Sequence, residues 1–278
     1  MIIGFARMNI IRFREKISTL RKEQRLHGEK ILAAPEAVVY LSAAELAGRL
    51  GTSYISIVRF CKNMGFSGYP EMREMFKQQL GISRVPTEFA KTSLHTMLSH
   101  EQRALEKTIT SSVHAKIGQA VLAIDKCESV IIAGYGASSV LAELLSGYLE
   151  ISGIRAVWSR NSRLDLLSRI FDNSHSRTAL IVINVLKYFR DIVEAEEKAR
   201  ANGLRVIAIT DSLFSPVAIR ADVVIPVCVE RPEIIYTLAP LVAVIGEIGT
   251  RLAGKRKKQA KKYLSLADKI WKEDLFVE

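Results

Sequence analysis

Two hydrophobic periodicities divide this chain. Over residues 1–90 apolar side chains recur at helical spacing. The sets are Ile11, Ile17 and Leu20; Ala44, Leu46, Ala47 and Leu50; Ile57, Phe60, Cys61 and Met64; and Met72, Met75 and Phe76. No run in this stretch reads as a useful strand, so a small all-helical domain is predicted. Residues 81–100 hold Gly81, Pro86 and several Ser and Thr. They read as a linker entering an amphipathic helix that ends near Ile124, giving a connecting segment over 91–127. Beyond it the pattern changes to short apolar, β-branched runs at 129–133, 155–158, 179–185, 205–210 and 223–227. Helical stretches at 140–151, 164–170, 192–201 and about 234–252 alternate with them. Both faces of each strand are apolar, as parallel strands covered by helices require. The second fold expected is therefore a doubly wound α/β domain over 128–254, with about five parallel strands. In such sheets ligands bind at the carboxyl ends of the strands, near the point where strand order reverses. Residues 255–278 begin KRKKQAKK and continue with Leu264, Leu266, Ile270 and Trp271. They read as a basic amphipathic helix that packs its apolar stripe on the body or on a second subunit.

Within the helical half, residues 42–64 carry a specific local grammar. Ser42 followed by Glu45 forms a capping box and starts a helix. Gly51 suits the left-handed exit from it, and Ser53 suits the cap of the next helix. Ile57, Phe60, Cys61 and Met64 face inward, leaving Tyr54, Ser56, Arg59, Lys62 and Asn63 outward. Two short helices joined by a glycine turn are the helix-turn-helix pattern. Its second helix enters the major groove of double-stranded DNA. Ser53, Tyr54, Ser56 and Arg59 lie at its start, where hydroxyls and a guanidinium meet base edges. Lys62 and Arg73 are better suited to phosphates. The plainer alternative is a helical hairpin used for assembly.

Charge sharpens this reading. The 278 residues carry a formal +11, from 40 Lys and Arg against 29 Asp and Glu. Residues 1–90 hold 14 basic and 8 acidic side chains, and residues 251–278 hold 9 and 4. Residues 128–250 hold 12 and 14. A basic head on a near-neutral body suits a polyanion partner, although a solvated basic surface gives the same count. Cys61, Cys127 and Cys228 are scattered, with no Cys-x-x-Cys and no Cys/His cluster. Neither a disulfide framework nor a metal site is expected, which fits a reducing cytoplasm. No stretch reaches the roughly 18 apolar residues of a membrane helix. The arginines among the first residues argue against a signal peptide.

In the second half, Gly134-Tyr135-Gly136-Ala137-Ser138-Ser139 joins the first strand to its helix. Gly134 and Gly136 permit a tight turn. Ser138 and Ser139 add hydroxyls, and the helix amides face an anion, with phosphate the natural occupant. A dinucleotide site would want a third glycine where Ser139 stands, and a carboxylate where Trp158-Ser159-Arg160-Asn161 stands. Neither is present, so no cofactor is expected.

The run LSAAELAGRLGTSYISIVRFCKNMGFSGYPEMREMF resembles the N-terminal domain of RpiR/MurR-type bacterial transcriptional regulators, most specifically in VRFCKNMGFSGYPEM. The second half resembles the sugar isomerase (SIS) domain of those regulators, through GYGASS and VIAITDSLFSPVAIRADVVIPV. The resemblance implies a helix-turn-helix domain followed by a SIS-like domain that senses a phosphosugar and forms a homodimer or homotetramer on a pseudo-palindromic operator. It also implies a second loop, after the third strand, rich in Ser and Thr. Here that loop reads Asn184-Val185-Leu186-Lys187-Tyr188-Phe189-Arg190-Asp191. Asn184 remains as a polar contact, and Lys187 and Arg190 replace hydroxyls with charge that pairs with phosphate or carboxylate. A phosphosugar, a sugar acid and no ligand all stay open. Thr210 and Ser215 lie at a third loop on the same edge.

The rival class is a SIS-type sugar-phosphate isomerase, or a metabolite-binding protein whose helical head only mediates assembly. Isomerisation needs a positioned base. The five histidines are His27, His95, His100, His114 and His175. Four lie in the helical or linker half, and His175 precedes the third strand. Glu230 and Glu233 are the carboxylates expected at the ligand edge, and no His/Glu pair is expected there.

Overall fold

The computed structural model describes residues 10–79, 93–159, 162–173, 177–230 and 235–274. The chain divides into two compact units, Met1–Phe89 with Phe214–Pro216, and Ala90–Leu213 with Val217–Glu278. The predicted linker stretch 81–92 lies outside the described residues.

The first unit is helical: α1 (Ile10–Ser18), α2 (Lys22–Ala33), α3 (Glu36–Tyr40), α4 (Ala43–Leu50), α5 (Tyr54–Asn63) and α6 (Tyr69–Gln79). Its core gathers Ile17, Leu46, Ala47, Ile57, Phe60, Cys61, Met64, Met72 and Phe76, in line with the helical periodicity. Two details differ from it. Ala43 faces inward, while Ala44 is exposed. Phe13, unmarked by the periodicity, is a hub, with its ring centroid 5.0 Å from that of Phe76 and 6.1 Å from that of Phe60. Both contacts are edge-on, the arrangement that aromatic quadrupoles favour.

The second unit opens with α7 (Leu94–Thr108) and α8 (Ser111–Ile124), two helices where one was predicted. Thr110 starts the second by accepting a hydrogen bond from Val113 N, so the break has a local cause. Then come β1 (Ser129–Ala133), α9 (Ala137–Ile151), β2 (Arg155–Trp158), α10 (Arg163–Asp172), β3 (Thr178–Ile183), α11 (Arg190–Ala201), β4 (Arg205–Thr210), β5 (Val223–Pro226), α12 (Ala239–Lys255) and α13 (Lys257–Asp274). The sheet is all parallel, in order β2-β1-β3-β4-β5. Alternate strand residues enter two cores. Val130, Ile132, Ile181 and Ile207 pack with α8, α9 and α12. Ile131, Leu180, Val182 and Val206 pack with α10 and α11. Burial on both faces explains why the strands read as continuous apolar runs. The order reverses between β1 and β3, which places the candidate ligand edge at the loops after those two strands.

Candidate functional site

The geometry that serves DNA is built locally. Ser42 Oγ accepts from Glu45 N at 3.2 Å, and Glu45 Oε2 accepts from Ser42 N at 2.8 Å, so the capping box is complete. Gly51 closes α4 at φ +71°, a left-handed conformation that costs a side-chain-bearing residue. Ser56 N then donates to Ser53 Oγ at 3.2 Å, and the two hydroxyls lie 3.0 Å apart. Ser53 is therefore occupied as the cap of α5. Tyr54 and Ile55 stand more than half exposed at the start of α5, and Arg59 and Lys62 are exposed one and two turns on. Ile55 was not singled out in the sequence, because an apolar residue on an outward position has no periodic signal. Arg73 departs from its predicted role. It is half-buried on α6 and its Nε donates to Val39 O at 2.7 Å, so its guanidinium ties α6 to α3.

In the second unit, a cavity of about 200 Å³ lies at the reversal of strand order. It is lined by Tyr135, Ala137, Ser138, Asn184, Val185, Leu186, Lys187, Phe189 and Tyr236. Of the effector residues predicted from the sequence, it brings together Ser138, Asn184 and Lys187. Asn184 is 3% exposed, and its Nδ2 has no hydrogen-bond partner among the described residues. A buried amide donor without a partner costs roughly 1–3 kcal/mol, and Asn184 stands in the cavity wall. Ser138 is buried and lines the cavity together with Tyr236. Lys187 is the charged residue of the lining.

The other predicted residues stand elsewhere. Gly134 is shaped by helix packing, since a Cβ there would meet the Ser138 carbonyl oxygen at 2.4 Å. Gly136 adopts φ +61° and ψ −132°, which allows the turn into α9. Ser139 spends its hydroxyl proton on Gly136 O at 2.9 Å. Arg190 is exposed at the start of α11 and outside the lining. Thr210 and Ser215 are fully buried and also outside it.

Tyr135, Phe189 and Asp211 are legible in the sequence only as members of the three loops, without roles of their own, and Tyr236 is not legible there. Tyr135 and Phe189 pack their rings with centroids 5.3 Å apart, joining the first loop to the second. Tyr236 comes from the loop after β5. Asp211, at the end of β4, shapes the second loop: its carboxylate accepts from Leu186 N at 3.2 Å and from Tyr188 Oη at 2.5 Å. Leu186 sits at φ +62°, the positive-φ non-glycine residue among the described residues. Lys187 N donates to Val185 O at 2.6 Å, closing a tight three-residue turn around it. Such strain persists only where surroundings over-determine it, and Asp211 provides that constraint. Burial raises the Asp211 carboxyl above the usual range, against the opposing hydrogen bonds from Tyr188 and Leu186.

The expectation that no His/Glu pair stands at the ligand edge is corrected. His100, on α7, places Nδ1 2.9 Å from Glu230 Oε2, just beyond β5. Lys107 Nζ at 2.8 Å and Arg103 at 3.2 Å share the same carboxylate. Sequence could not join residues 130 positions apart. Burial pushes the Glu230 carboxyl up, but the hydrogen bonds from Lys107 and His100 leave it below its ordinary range. An ionised carboxylate held by two cations is an ion-pair anchor, and it is outside the cavity lining. His175 and Glu233 lie outside the described residues. Among the described residues no group of three or more His, Cys, Asp and Glu could hold a metal, and no helix is long and apolar enough to cross a membrane.

Comparison with known proteins supplies two domain matches. Residues 9–83 match the helix-turn-helix domain of the rpiR family, and residues 123–246 match the SIS domain. The HTH-type transcriptional regulator HexR of Pseudomonas aeruginosa is 26% identical over 210 residues, covering 73% of each chain. An HTH-type transcriptional regulator of Haemophilus influenzae is 25% identical over 222 residues, covering 74% of this chain and 75% of its own. The sugar isomerase domain of an RpiR transcription factor from Sphaerobacter thermophilus superposes with a TM-score of 0.58 at 26% identity, covering 63% of this chain and 97% of that one. NanR of Vibrio vulnificus, solved with ManNAc-6P, shares the fold with a TM-score of 0.60 at 17% identity, covering 94% and 98%. A capped, glycine-turned helix pair followed by a five-stranded parallel sheet, with both halves matched in that order, places the chain in the RpiR family of transcriptional regulators, a helix-turn-helix domain joined to a SIS domain.

Proposed function

We propose that the SIS domain of this regulator binds a small anionic metabolite of the phosphorylated-sugar class, and that occupancy modulates operator binding by the helical domain. The observation that carries the reading is Asn184, a buried amide donor without a partner, in a cavity that also offers the Ser138 hydroxyl and the Lys187 ammonium. Two neutral donors and one cation, with no carboxylate in the lining, select an anion. About 200 Å³ suits a small metabolite, being below the roughly 300–1,000 Å³ of drug-sized sites. A relative of the same fold, NanR, was solved with ManNAc-6P, which sets the ligand class to try first.

On the DNA side, the reading assigns base contacts to Tyr54, Ile55, Ser56 and Arg59, and a phosphate contact to Lys62. The exposed Ile55 suits a thymine methyl. A homodimer or homotetramer matches a pseudo-palindromic operator. The test retains sheared genomic DNA on the protein at about 150 mM salt, where purely phosphate-driven binding is weak, then adds hexose 6-phosphates and sugar acids. A few fragments sharing an inverted repeat, with retention changed by a phosphorylated sugar, are expected. Uniform retention, or a panel without effect, would overturn the reading.

A further inference from the structure

A second, larger cavity lies at the opposite end of the sheet. It is open, holds about 610 Å³, and sits where β3, β4 and β5 begin and α8 ends. β4 has six residues, so roughly 20 Å of strand separates it from the carboxyl edge. The volume of this amino-edge cavity falls within the roughly 300–1,000 Å³ of small-molecule sites.

Its lining is cationic although the domain around it is not. Residues 128–250 hold 12 basic and 14 acidic side chains, yet the cavity gathers Lys126, Arg177 and Arg205 against one carboxylate, Asp222. Strand register explains the cluster. Ala179 stands opposite Arg205, and Arg177 comes two residues before Ala179. Both arginine positions therefore belong to the sheet face that packs on α8. Other groups already serve the structure here. One Asp222 oxygen accepts from Val206 N at 2.8 Å, and the other pairs with Arg200 at 3.5 Å. The carbonyls at the end of α8 are taken by Arg256, which donates to Asp125 O at 2.6 Å and to Cys127 O at 3.4 Å. Arg177 is held by Glu128, outside the lining. Lys126 and Arg205 have no ion-pair partner among the described residues.

Beside these cations, Leu122, more than half exposed, and Val223 supply an apolar wall. Cys127 lines the same space and is half-buried. Burial raises its thiol, and the fields of Arg205, Arg256 and Arg177 oppose that rise, the sign of a positive potential.

We propose that the amino-edge cavity is a second ligand site, separate from the effector cavity, for an organic anion that carries a phosphate or carboxylate on an apolar, ring-sized body. Lys126 and Arg205 take the anionic group, whose oxygens suit the guanidinium fork. Leu122 and Val223 take the apolar part.

Alkylation of the full chain by iodoacetamide, read at each cysteine by peptide mass spectrometry, tests it. Cys228, just after β5 at the opposite edge, is the reference thiol, and Cys61 is buried. Phenyl phosphate at millimolar concentration is the probe. It should slow modification of Cys127, by about fivefold at about four times its dissociation constant, and leave Cys228 unchanged. Lys126→Gln combined with Arg205→Gln should abolish the protection, whereas Lys187→Glu, in the effector cavity, should leave it intact. In the wild type, raising salt from about 0.05 to 0.5 M should weaken it. An unchanged Cys127, or both cysteines slowed together, would overturn the site. Protection that survives high salt or the loss of Lys126 and Arg205 would overturn the anion contact. Inorganic phosphate protecting as well as phenyl phosphate would overturn the apolar one.

Discussion

Glu196 on α11 offers a stability prediction that the structure lets one work through. Its side chain is fully buried, and neither carboxylate oxygen has a hydrogen-bond partner among the described residues. Burial is the largest influence on it. Arg220 and Arg200 oppose that influence from a distance, and the carboxyl is pushed up to about 9 from an ordinary 4.5. The folded form therefore holds a proton that the unfolded chain releases. Stability from this group is fully present below about 4.5 and is lost as pH rises towards about 9. At neutral pH the cost of keeping that proton is about 1.4 kcal/mol per pH unit above 4.5, or roughly 3 kcal/mol. Glu196→Gln keeps the shape and removes the titration. It should stabilise the SIS domain by about 2–3 kcal/mol near pH 7 and by little near pH 5. Urea unfolding followed by tryptophan fluorescence reads this domain selectively, because Trp158 and Trp271 both lie in the second unit. A difference between wild type and variant that stays constant from about pH 5 to pH 8 would refute the reasoning. It would mean that Glu196 ionises against Arg220 or Arg200 when folded.

Other outcomes follow from the two sites. Arg59→Ala should weaken binding to the selected operator by roughly 1–3 kcal/mol if Arg59 reads a base. Equal loss on random duplex in a competition titration would reassign it to a phosphate. Lys187→Glu should abolish the effect of an anionic effector on operator retention while leaving effector-free DNA binding unchanged, and a retained effect would remove Lys187 from the site. Ser42→Ala opens the capping box and should cost the helical domain about 1 kcal/mol in thermal or urea unfolding. A variant of wild-type stability would show that the Glu45 carboxylate alone satisfies the amino end of α4.

What was legible in the sequence was what neighbouring residues decide. The capping box, the Gly51 exit and the Ser53 cap are each settled within four positions, and all three stand where the pattern put them. All five strands were readable because parallel strands buried on both faces give unbroken apolar runs. The reversal of strand order was not, since it depends on which strands pair. The candidate site was half legible. Ser138 opens the helix after β1, and Asn184 and Lys187 sit in the loop after β3, so sequence position predicts their edge. Arg190, Thr210 and Ser215 follow the same logic yet fall outside the cavity, because the backbone dihedral angles that aim a side chain are not revealed by composition. Asp211, Tyr236 and the pairing of His100 with Glu230 depend on contacts over 25 to 130 residues. No local pattern encodes them.

If the cavity is the effector site, its second loop holds the anion by a chemistry other than the one the family resemblance implies. The family resemblance leads one to expect hydroxyls after β3, and this chain has Asn184 and Lys187 there instead. Hydroxyls hold an anion through several short neutral hydrogen bonds and tolerate a relaxed backbone. One ammonium on a long, exposed side chain holds it through charge, which solvent screens and side-chain entropy opposes. Precision must then come from the rest of the wall. The strained turn at Leu186, pinned by the buried Asp211, fixes where the chain of Lys187 begins. The Tyr135–Phe189 ring contact fixes the gap between the two loops. The buried Asn184 amide, placed at the end of a central strand, supplies the directional donor. A site of this kind should depend on ionic strength more than a hydroxyl site does. Effector affinity measured by calorimetry should therefore weaken several-fold between about 0.05 and 0.5 M salt. An affinity independent of salt would mean that Lys187 takes no part and that the neutral donors alone hold the ligand.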